Sequence, residues 1–248
     1  MDAFSSFFYT QSSDSWTYDS LKSLHQISPV VQQHLRQVYL TLCCALVAAA
    51  IGAYLHLLWN VGGLLTMFGC LGSMIWLLST PPFEERKRVA LLMASALLQG
   101  ASIGPLVELT VSLDPSILVA AFVGTALVFG CFSAAALLSR RREYLYLGGF
   151  LSSGLSILVW LHLFSSVFGG SAAIFEFELY VGLVLFVGYV VVDTQAIVER
   201  AHLGDLDFVK HSLTLFSDFA SLFVRLSIIL LKNSVDKRSN KKKKKRDG

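Results

Sequence analysis

The sequence predicts an all-α polytopic membrane protein, with six transmembrane helices and a seventh, central or re-entrant, hydrophobic helix near the C-terminus. Of its 248 residues, 54% are hydrophobic and 15% are charged, whereas soluble domains usually carry about 25% charged residues. The mean hydropathy is +0.63. The apolar residues also form long runs, and a helix needs about 20 of them to cross a hydrocarbon core of about 30 Å.

Seven apolar runs follow one another with short polar connections between most of them. No Pro/Gly/Ser-rich linker divides the chain, so we predict one membrane bundle over residues 38–231. Residues 1–37 lack the basic start and apolar core of a secretory signal, and we interpret them as a cytoplasmic N-terminal tail. Residues 232–248 form a basic C-terminal tail. The runs cover residues 38–58, 62–79, 89–110, 116–138, 145–167, 173–192 and 212–231.

The cysteines indicate core packing rather than redox or metal chemistry. All four fall inside apolar runs without CxxC spacing, so we interpret them as small buried residues. The sequence also has no phosphate-binding loop of the Gly-x-x-x-x-Gly-Lys type. We expect no cofactor and no nucleic-acid partner, and the sequence allows an oligomer. The cysteines are Cys43, Cys44, Cys70 and Cys131.

Basic residues alternate between the connections and predict the orientation. Short basic loops resist translocation and therefore mark the cytoplasmic side. The turns near Asn60, Asp114 and Gly169 hold no Lys or Arg. We expect a cytoplasmic N-terminus and a cytoplasmic 194–211 connection. The basic segments contain Lys22, Arg36, Arg86, Lys87, Arg88, Arg140, Arg141 and Arg142.

The C-terminal tail conflicts with this rule, because a seventh complete crossing would place it on the far side. Either segment 212–231 enters and leaves on the cytoplasmic side, or it crosses with Asp218 and Arg225 held in the protein interior. The charge rule favours a cytoplasmic tail. The strongest basic cluster is Lys241, Lys242, Lys243, Lys244, Lys245 and Arg246.

That basic cluster has three interpretations. It is a solubilising run, a surface attracted to anionic lipid at about 1 kcal/mol per basic residue, or a site for an acidic partner protein. An apolar helix followed by a basic cluster is the pattern that calmodulin-type proteins bind.

Two aspartates stand out in the last two apolar runs. Asp193 follows an almost entirely apolar stretch and is expected at or just inside the cytoplasmic end of the sixth helix. Asp218 lies within the seventh run, where an ionised carboxylate costs roughly 2.5–3.5 kcal/mol. Asp218 therefore needs a partner or a proton.

His211, Asp218 and Arg225 recur every seven residues, so they drift by only about 20° and share one helix face. That face should point into the bundle. One interpretation pairs Asp218 with Arg225, two turns away and bridged by neighbours. The other brings Asp218 against Asp193 of the adjoining helix.

Two facing carboxyl groups in a low-dielectric interior cannot both ionise easily, so the pair tends to hold a shared proton. Such a pair predicts a pH-sensitive latch. Arg88, at the start of the third span, could donate charge-assisted hydrogen bonds to either carboxylate and lock a closed state. Oxygen ligands also suit Ca²⁺. Two carboxylates bind it weakly, which favours a leak pathway over storage.

Short motifs run through nearly the whole chain, and in this order they are specific. They include Ile27-Ser28-Pro29, Gly52-Ala53-Tyr54, Gly104-Pro105, Asp114-Pro115-Ser116, Val192-Asp193-Thr194-Gln195 and Leu215-Phe216-Ser217-Asp218-Phe219. With these motifs the chain resembles the Bax inhibitor-1 family of transmembrane Bax-inhibitor-motif proteins, its plant members above all.

The resemblance implies an endoplasmic reticulum protein that suppresses programmed cell death and takes part in stress responses. It implies a pH-dependent leak that lowers luminal Ca²⁺, and a seven-helix bundle whose last helix is central. The family's aspartate pair maps onto Asp193 and Asp218, and its arginine latch onto Arg88. Plant members are also associated with calmodulin and cytochrome b5.

Two further function classes compete with the leak. One is a non-conducting membrane scaffold that binds partner proteins through its cytoplasmic faces and tail. The other is an intramembrane aspartyl protease, which also places two aspartates on adjacent helices. The Gly-x-Gly-Asp and Tyr-Asp contexts of those proteases are absent, so we expect no enzyme.

Overall fold

The described part of the protein, residues 28–138 and 147–246 of a computed structural model, folds into helices with no strand. Side chains are described as far as Ser239. Six of the seven helices are long and apolar enough to cross a membrane, which confirms the predicted fold class. The helices are α1 (Pro29–Trp59), α2 (Leu64–Ser79), α3 (Glu85–Leu113), α4 (Pro115–Leu138), α5 (Leu147–Phe168), α6 (Ala172–His202) and α7 (Phe208–Arg246).

Several helices extend beyond the predicted runs because polar residues continue them, and one is short. The helix α1 begins at Pro29, where Ser28 caps the backbone N–H of Val30, so residues 29–37 are helical. The helix α6 continues ten residues past 192. The short helix is α2, whose 16 residues extend about 24 Å, rather than the last helix.

The helix α7 passes from one end of the bundle to the other and is not re-entrant. Near its start, Asp207 contacts Arg88 at the beginning of α3. Further along, Lys232 contacts Glu176 at the beginning of α6, and Arg238 donates to the carbonyl of Leu113 at the end of α3. We call these the Arg88 end and the Glu176 end. The basic tail therefore leaves the bundle at the end opposite Arg88 and Arg36, as the complete crossing requires, whereas the charge rule favoured the same side.

The last helix lies at the centre of the bundle. It contacts α1, α3, α4 and α6, and its apolar stretch is the most buried of the six candidate spans. Leu215, Phe216 and Leu222 are almost fully buried in the main apolar core. Because four other helices cover much of its surface, this helix can carry polar side chains at membrane depth where they face protein.

Two glycines let α1 and α3 approach each other closely in the Glu176 half of the bundle. A Cβ atom at Gly52 would overlap the carbonyl of Leu97, and one at Gly100 would overlap the carbonyl of Ala49. Small residues at such crossings allow backbone-to-backbone contact between membrane helices. This half is therefore held together by close helix packing.

Candidate functional site: a buried carboxyl pair

Asp193 of α6 and Asp218 of α7 are in hydrogen-bond contact through their carboxyl groups. Asp218 is 5% exposed, and its Oδ2 atom has no hydrogen-bond partner among the described residues. Asp193 is half-buried. It was predicted at or just inside the end of the sixth helix, but it lies nine residues before the end of α6, because the helix continues through the buried residues Thr194, Gln195 and Ile197. An ionised carboxylate can only accept a hydrogen bond, so a hydrogen bond between the two groups needs a proton on one of them.

A layer of hydroxyl groups lies next to this pair. The Tyr39 hydroxyl of α1 is hydrogen-bonded to Ser133 Oγ of α4. Ser133 Oγ lies 3.2 Å from Thr194 Oγ1, and Thr194 directly follows Asp193 in α6. These hydroxyls link α1, α4 and α6 beside the carboxyl pair, so they help to fix the helix that carries Asp193.

A histidine pair joins α1 to α7 nearer the Arg88 end. His34 Nε2 and His211 Nδ1 are 2.9 Å apart, and both rings are almost fully buried. His211 Nε2 lies 3.9 Å from Asp205 Oδ2. The adjacent Ser212 donates to the carbonyl of Val38 at 3.0 Å. The face of α7 that carries Asp218 is therefore tied to α1 two turns before the carboxyl pair.

Arg88 pairs with Asp207 rather than with either member of the carboxyl pair. Arg88 Nη2 is 2.8 Å from Asp207 Oδ2, and Arg88 is 4% exposed. Burial raises the pKa of Asp207. Hydrogen bonds from Arg88 and from the Lys210 backbone N–H lower it by more than burial raises it, so the pKa lies below its ordinary value. The predicted latch residue thus ties α3 to the start of α7, and it does not contact Asp193 or Asp218.

Arg225 does not form the predicted structural pair with Asp218. Its guanidinium stacks over the Phe186 ring of α6 at 4.3 Å, and Nη1 donates to the Ser221 carbonyl at 3.4 Å. Gly182 of α6 leaves the space that this side chain occupies. A cation over an aromatic face is attracted by the ring quadrupole, which satisfies Arg225 within the bundle without a carboxylate.

Several residues at this site were missed or lie outside what the structure describes. His34, Tyr39, Ser133 and Asp207 carry no local signal, because their partners are far away in sequence. Tyr39 and Ser133 are polar residues inside apolar runs, which is a common feature, and His34 and Asp207 lie outside the runs in segments with several polar residues. The side chains of Lys241 to Lys245 and Arg246, and all of residues 140–142, lie outside the described residues.

In the described ranges, no group of three or more His, Cys, Asp or Glu side chains could hold a metal ion. The carboxyl pair alone offers few of the six to eight oxygen ligands that Ca²⁺ usually takes. A weak Ca²⁺ contact at Asp193 and Asp218 therefore stays a prediction. The described residues define a multi-pass helical membrane protein with a carboxyl pair buried between its last two helices.

Comparison with known proteins identifies the family within this class of membrane proteins. The profile of the family "Inhibitor of apoptosis-promoting Bax1" matches residues 31–235. The protein called Bax inhibitor 1 in Arabidopsis thaliana is 69% identical over 238 residues, which are 96% of each chain. Bax inhibitor 1 of Oryza sativa subsp. japonica is 60% identical over 99% of this chain and 100% of its own. Bax inhibitor 1 of Homo sapiens is 44% identical over 91% and 96%. The chain belongs to the Bax inhibitor-1 family.

Proposed function

We propose that this protein suppresses programmed cell death from the endoplasmic reticulum membrane, through a pH-sensitive Ca²⁺ leak controlled by Asp193 and Asp218. Membership of the Bax inhibitor-1 family supports the cell-death role. The single observation that supports the leak is the close contact between the buried carboxyl group of Asp218 and the half-buried one of Asp193.

The protonation state of this pair changes the contact between α6 and α7. With one shared proton, the bond is charge-assisted and joins the helices most strongly. Without a proton, two carboxylates repel each other at short range, and Ca²⁺ can take the place of the proton between them. With two protons the bond loses its charge assistance. Proton binding and cation passage are therefore coupled at one site.

A flux measurement tests the leak. We would reconstitute the protein in liposomes that hold a Ca²⁺ dye and measure flux from pH 6 to 8, for wild type, Asp193→Asn and Asp218→Asn. Asp236→Asn is the matched control, since Asp236 is an exposed residue of the same helix as Asp218. We expect a pH-dependent flux that either buried substitution flattens and the control retains.

The alternative outcome identifies the competing function. If wild type shows no more flux than empty liposomes, the leak is wrong, and a non-conducting scaffold becomes the better account. The cell-death role is tested separately, by comparing the survival of stressed cells that express wild type, Asp218→Asn or no added protein. Survival that wild type does not improve would contradict that role.

Calmodulin and cytochrome b5 remain proposed partners, and the course of α7 restricts where they can act. The two ends of α7 lie at opposite ends of the bundle. A cytoplasmic N-terminus therefore places the 241–246 cluster on the luminal side, away from cytosolic calmodulin. Protease protection of a tag at each terminus, in sealed microsomes, tests this, and we expect the two tags to differ in accessibility. Equal accessibility would contradict the complete crossing.

A further inference from the structure

An apolar groove runs between α1, α3, α4 and α7 and is separate from the carboxyl pair. It has a volume of about 450 Å³, within the range of roughly 300–1,000 Å³ typical of small-molecule sites. On α7 its wall is formed by Phe216, Phe219 and Phe223. Asp218 lies on the other side of this helix, since Phe216 is about 200° away from it.

The groove opens sideways to the surface of the bundle. Its inner wall includes the buried residues Gly100 and Val107, while Tyr54, Val119 and Phe122 at its rim are 50–62% exposed. All of these residues lie within candidate membrane spans. The opening therefore faces hydrocarbon, where the surrounding solvent is lipid chains.

Small side chains create the space. The lining includes Ala49, Ala50 and Ala53 of α1 and Ala220 of α7. Larger residues at these positions would fill it. The polar groups of the lining are the Gln99 amide and the Tyr54 hydroxyl, so the lining favours a long apolar group over a polar solute.

The dimensions favour a lipid chain over a helix of another protein. The lining extends from Leu46 to Leu57 of α1, about 16 Å of helix. Counting its open side as well, the groove has an empty volume of about 1170 Å³, less than the roughly 1,300–1,800 Å³ that a helix of this length and about 10–12 Å width would occupy. A flexible acyl chain enters such a slot without displacing the wall.

A cationic side chain lies close to the mouth of the groove at the Glu176 end. Arg238 is exposed, and its Nη2 donates to the Leu113 carbonyl at 2.7 Å. Leu118, which lines the groove, lies in the first turn of α4, and α4 begins two residues after Leu113. Asp114 is the acidic neighbour, and hydrogen bonds from Ser116 hold the pKa of its carboxyl below the ordinary value. The remaining N–H groups of Arg238 can donate to a lipid phosphate.

We propose that this groove is a binding site for one acyl chain of a membrane phospholipid, whose phosphate lies beside Arg238. The bound chain packs against the face of α7 opposite Asp218, so it supports the position of the helix that carries the carboxyl pair. This site is independent of whether the protein conducts Ca²⁺.

Photo-crosslinking tests the site. The protein would be placed in nanodiscs containing phosphatidylcholine with a diazirine on one acyl chain, and labelled residues would be identified by mass spectrometry. We expect labelling concentrated on the α4 and α7 residues of the groove. Ala53→Leu fills the slot and should reduce this labelling several-fold, while Ala120→Leu, the same change at an exposed residue outside the lining, should not.

Further variants keep the test decisive. Val119→Trp blocks the groove from its exposed rim without crowding the core and should act like Ala53→Leu. Arg238→Gln should weaken labelling, and Lys237→Gln should not. Even labelling of all lipid-facing helices, or no loss in Ala53→Leu and Val119→Trp, would overturn the site. Displacement of the label by a sterol, but not by unlabelled phosphatidylcholine, would overturn the phospholipid assignment.

Discussion

The two ends of the bundle are held together by different forces. At the Arg88 end, Arg88–Asp207 and His34–His211 join distant helices through side chains that are mostly buried. At the Glu176 end, each of the three contacts between a basic or histidine side chain and a glutamate in the described residues includes an exposed partner. Glu108 is 61% exposed beside His56, and His162 is 73% exposed beside Glu178.

The difference shows where a charge change can alter the structure. A buried charge that loses its partner keeps its desolvation cost, whereas an exposed charge returns to water. The Arg88 end should therefore be sensitive to charge substitutions. The other half depends on the close approach of α1 and α3 at Gly52 and Gly100, so it should be sensitive to volume instead.

The largest expected effect is the loss of the Arg88–Asp207 pair. Arg88→Met leaves Asp207 without its main partner and should lower the free energy of unfolding by about 3–5 kcal/mol. Denaturant titration in detergent micelles measures this. Lys87→Met is the control, because Lys87 pairs with Glu84 at the surface and should change stability little. Equal effects of the two substitutions would contradict the contrast between buried and exposed pairs.

A smaller effect is expected from volume at the α1–α3 contact. Gly100→Ala places a Cβ against the Ala49 carbonyl and should destabilise by about 1–3 kcal/mol, as overpacking usually does. Gly130→Ala is the matched control, since a Cβ there meets nothing within 4 Å and alanine favours a helix. Thermal unfolding compares the two. A stabilised Gly100→Ala variant would show that the helices are not in close contact.

The stability contributed by Asp207 at the Arg88 end should not change near neutral pH, unlike the response expected of the carboxyl pair. The pKa of Asp207 is lowered in the folded protein, so its contribution to stability is present above the unfolded value of about 3.9. The contribution is lost as pH falls through the lower folded pKa. We expect Asp207→Asn to reduce stability equally at pH 6 and pH 8, with wild type and variant converging only in acid. A difference that changes between pH 6 and 8 would make Asp207 part of the pH response.

The smallest effect is expected at Lys232–Glu176, at the Glu176 end. Lys232→Gln should leave the unfolding midpoint almost unchanged, because water and salt screen a surface pair. The measurement is the midpoint at low and high salt. If Lys232→Gln lowered the unfolding midpoint strongly at low salt and not at high salt, ion pairs would also stabilise this end.

Hydrophobic runs predicted most of the fold, because a span needs a long apolar stretch that sequence displays directly. Helix ends were less predictable. Residues 29–37 and 193–202 are polar enough to interrupt a run, but their buried side chains pack on other helices. For α7 the sequence left two courses open, because the basic tail favoured a return to the cytoplasmic side and the buried charges were compatible with a complete crossing.

Within the site, the resemblance to the Bax inhibitor-1 family and the seven-residue spacing of His211, Asp218 and Arg225 both indicated Asp218. The partner of Arg88 could not be predicted, because Asp207 lies 119 positions away in an ordinary polar connection. The His34–His211 contact likewise depends on the packing of the first helix against the last. Such contacts follow from helix arrangement, which spacing within one helix does not contain.

Infrared spectroscopy tests the central claim, that Asp193 and Asp218 share one proton inside the bundle. The stretch of a protonated carboxyl group should be visible in wild type at pH 7, should be lost in Asp218→Asn, and should remain in the exposed control Asp236→Asn. In Asp193→Asn it should shift, because the hydrogen-bond partner changes. A neutral-pH spectrum that contains no protonated carboxyl band, and that is the same in wild type and Asp218→Asn, would contradict the account.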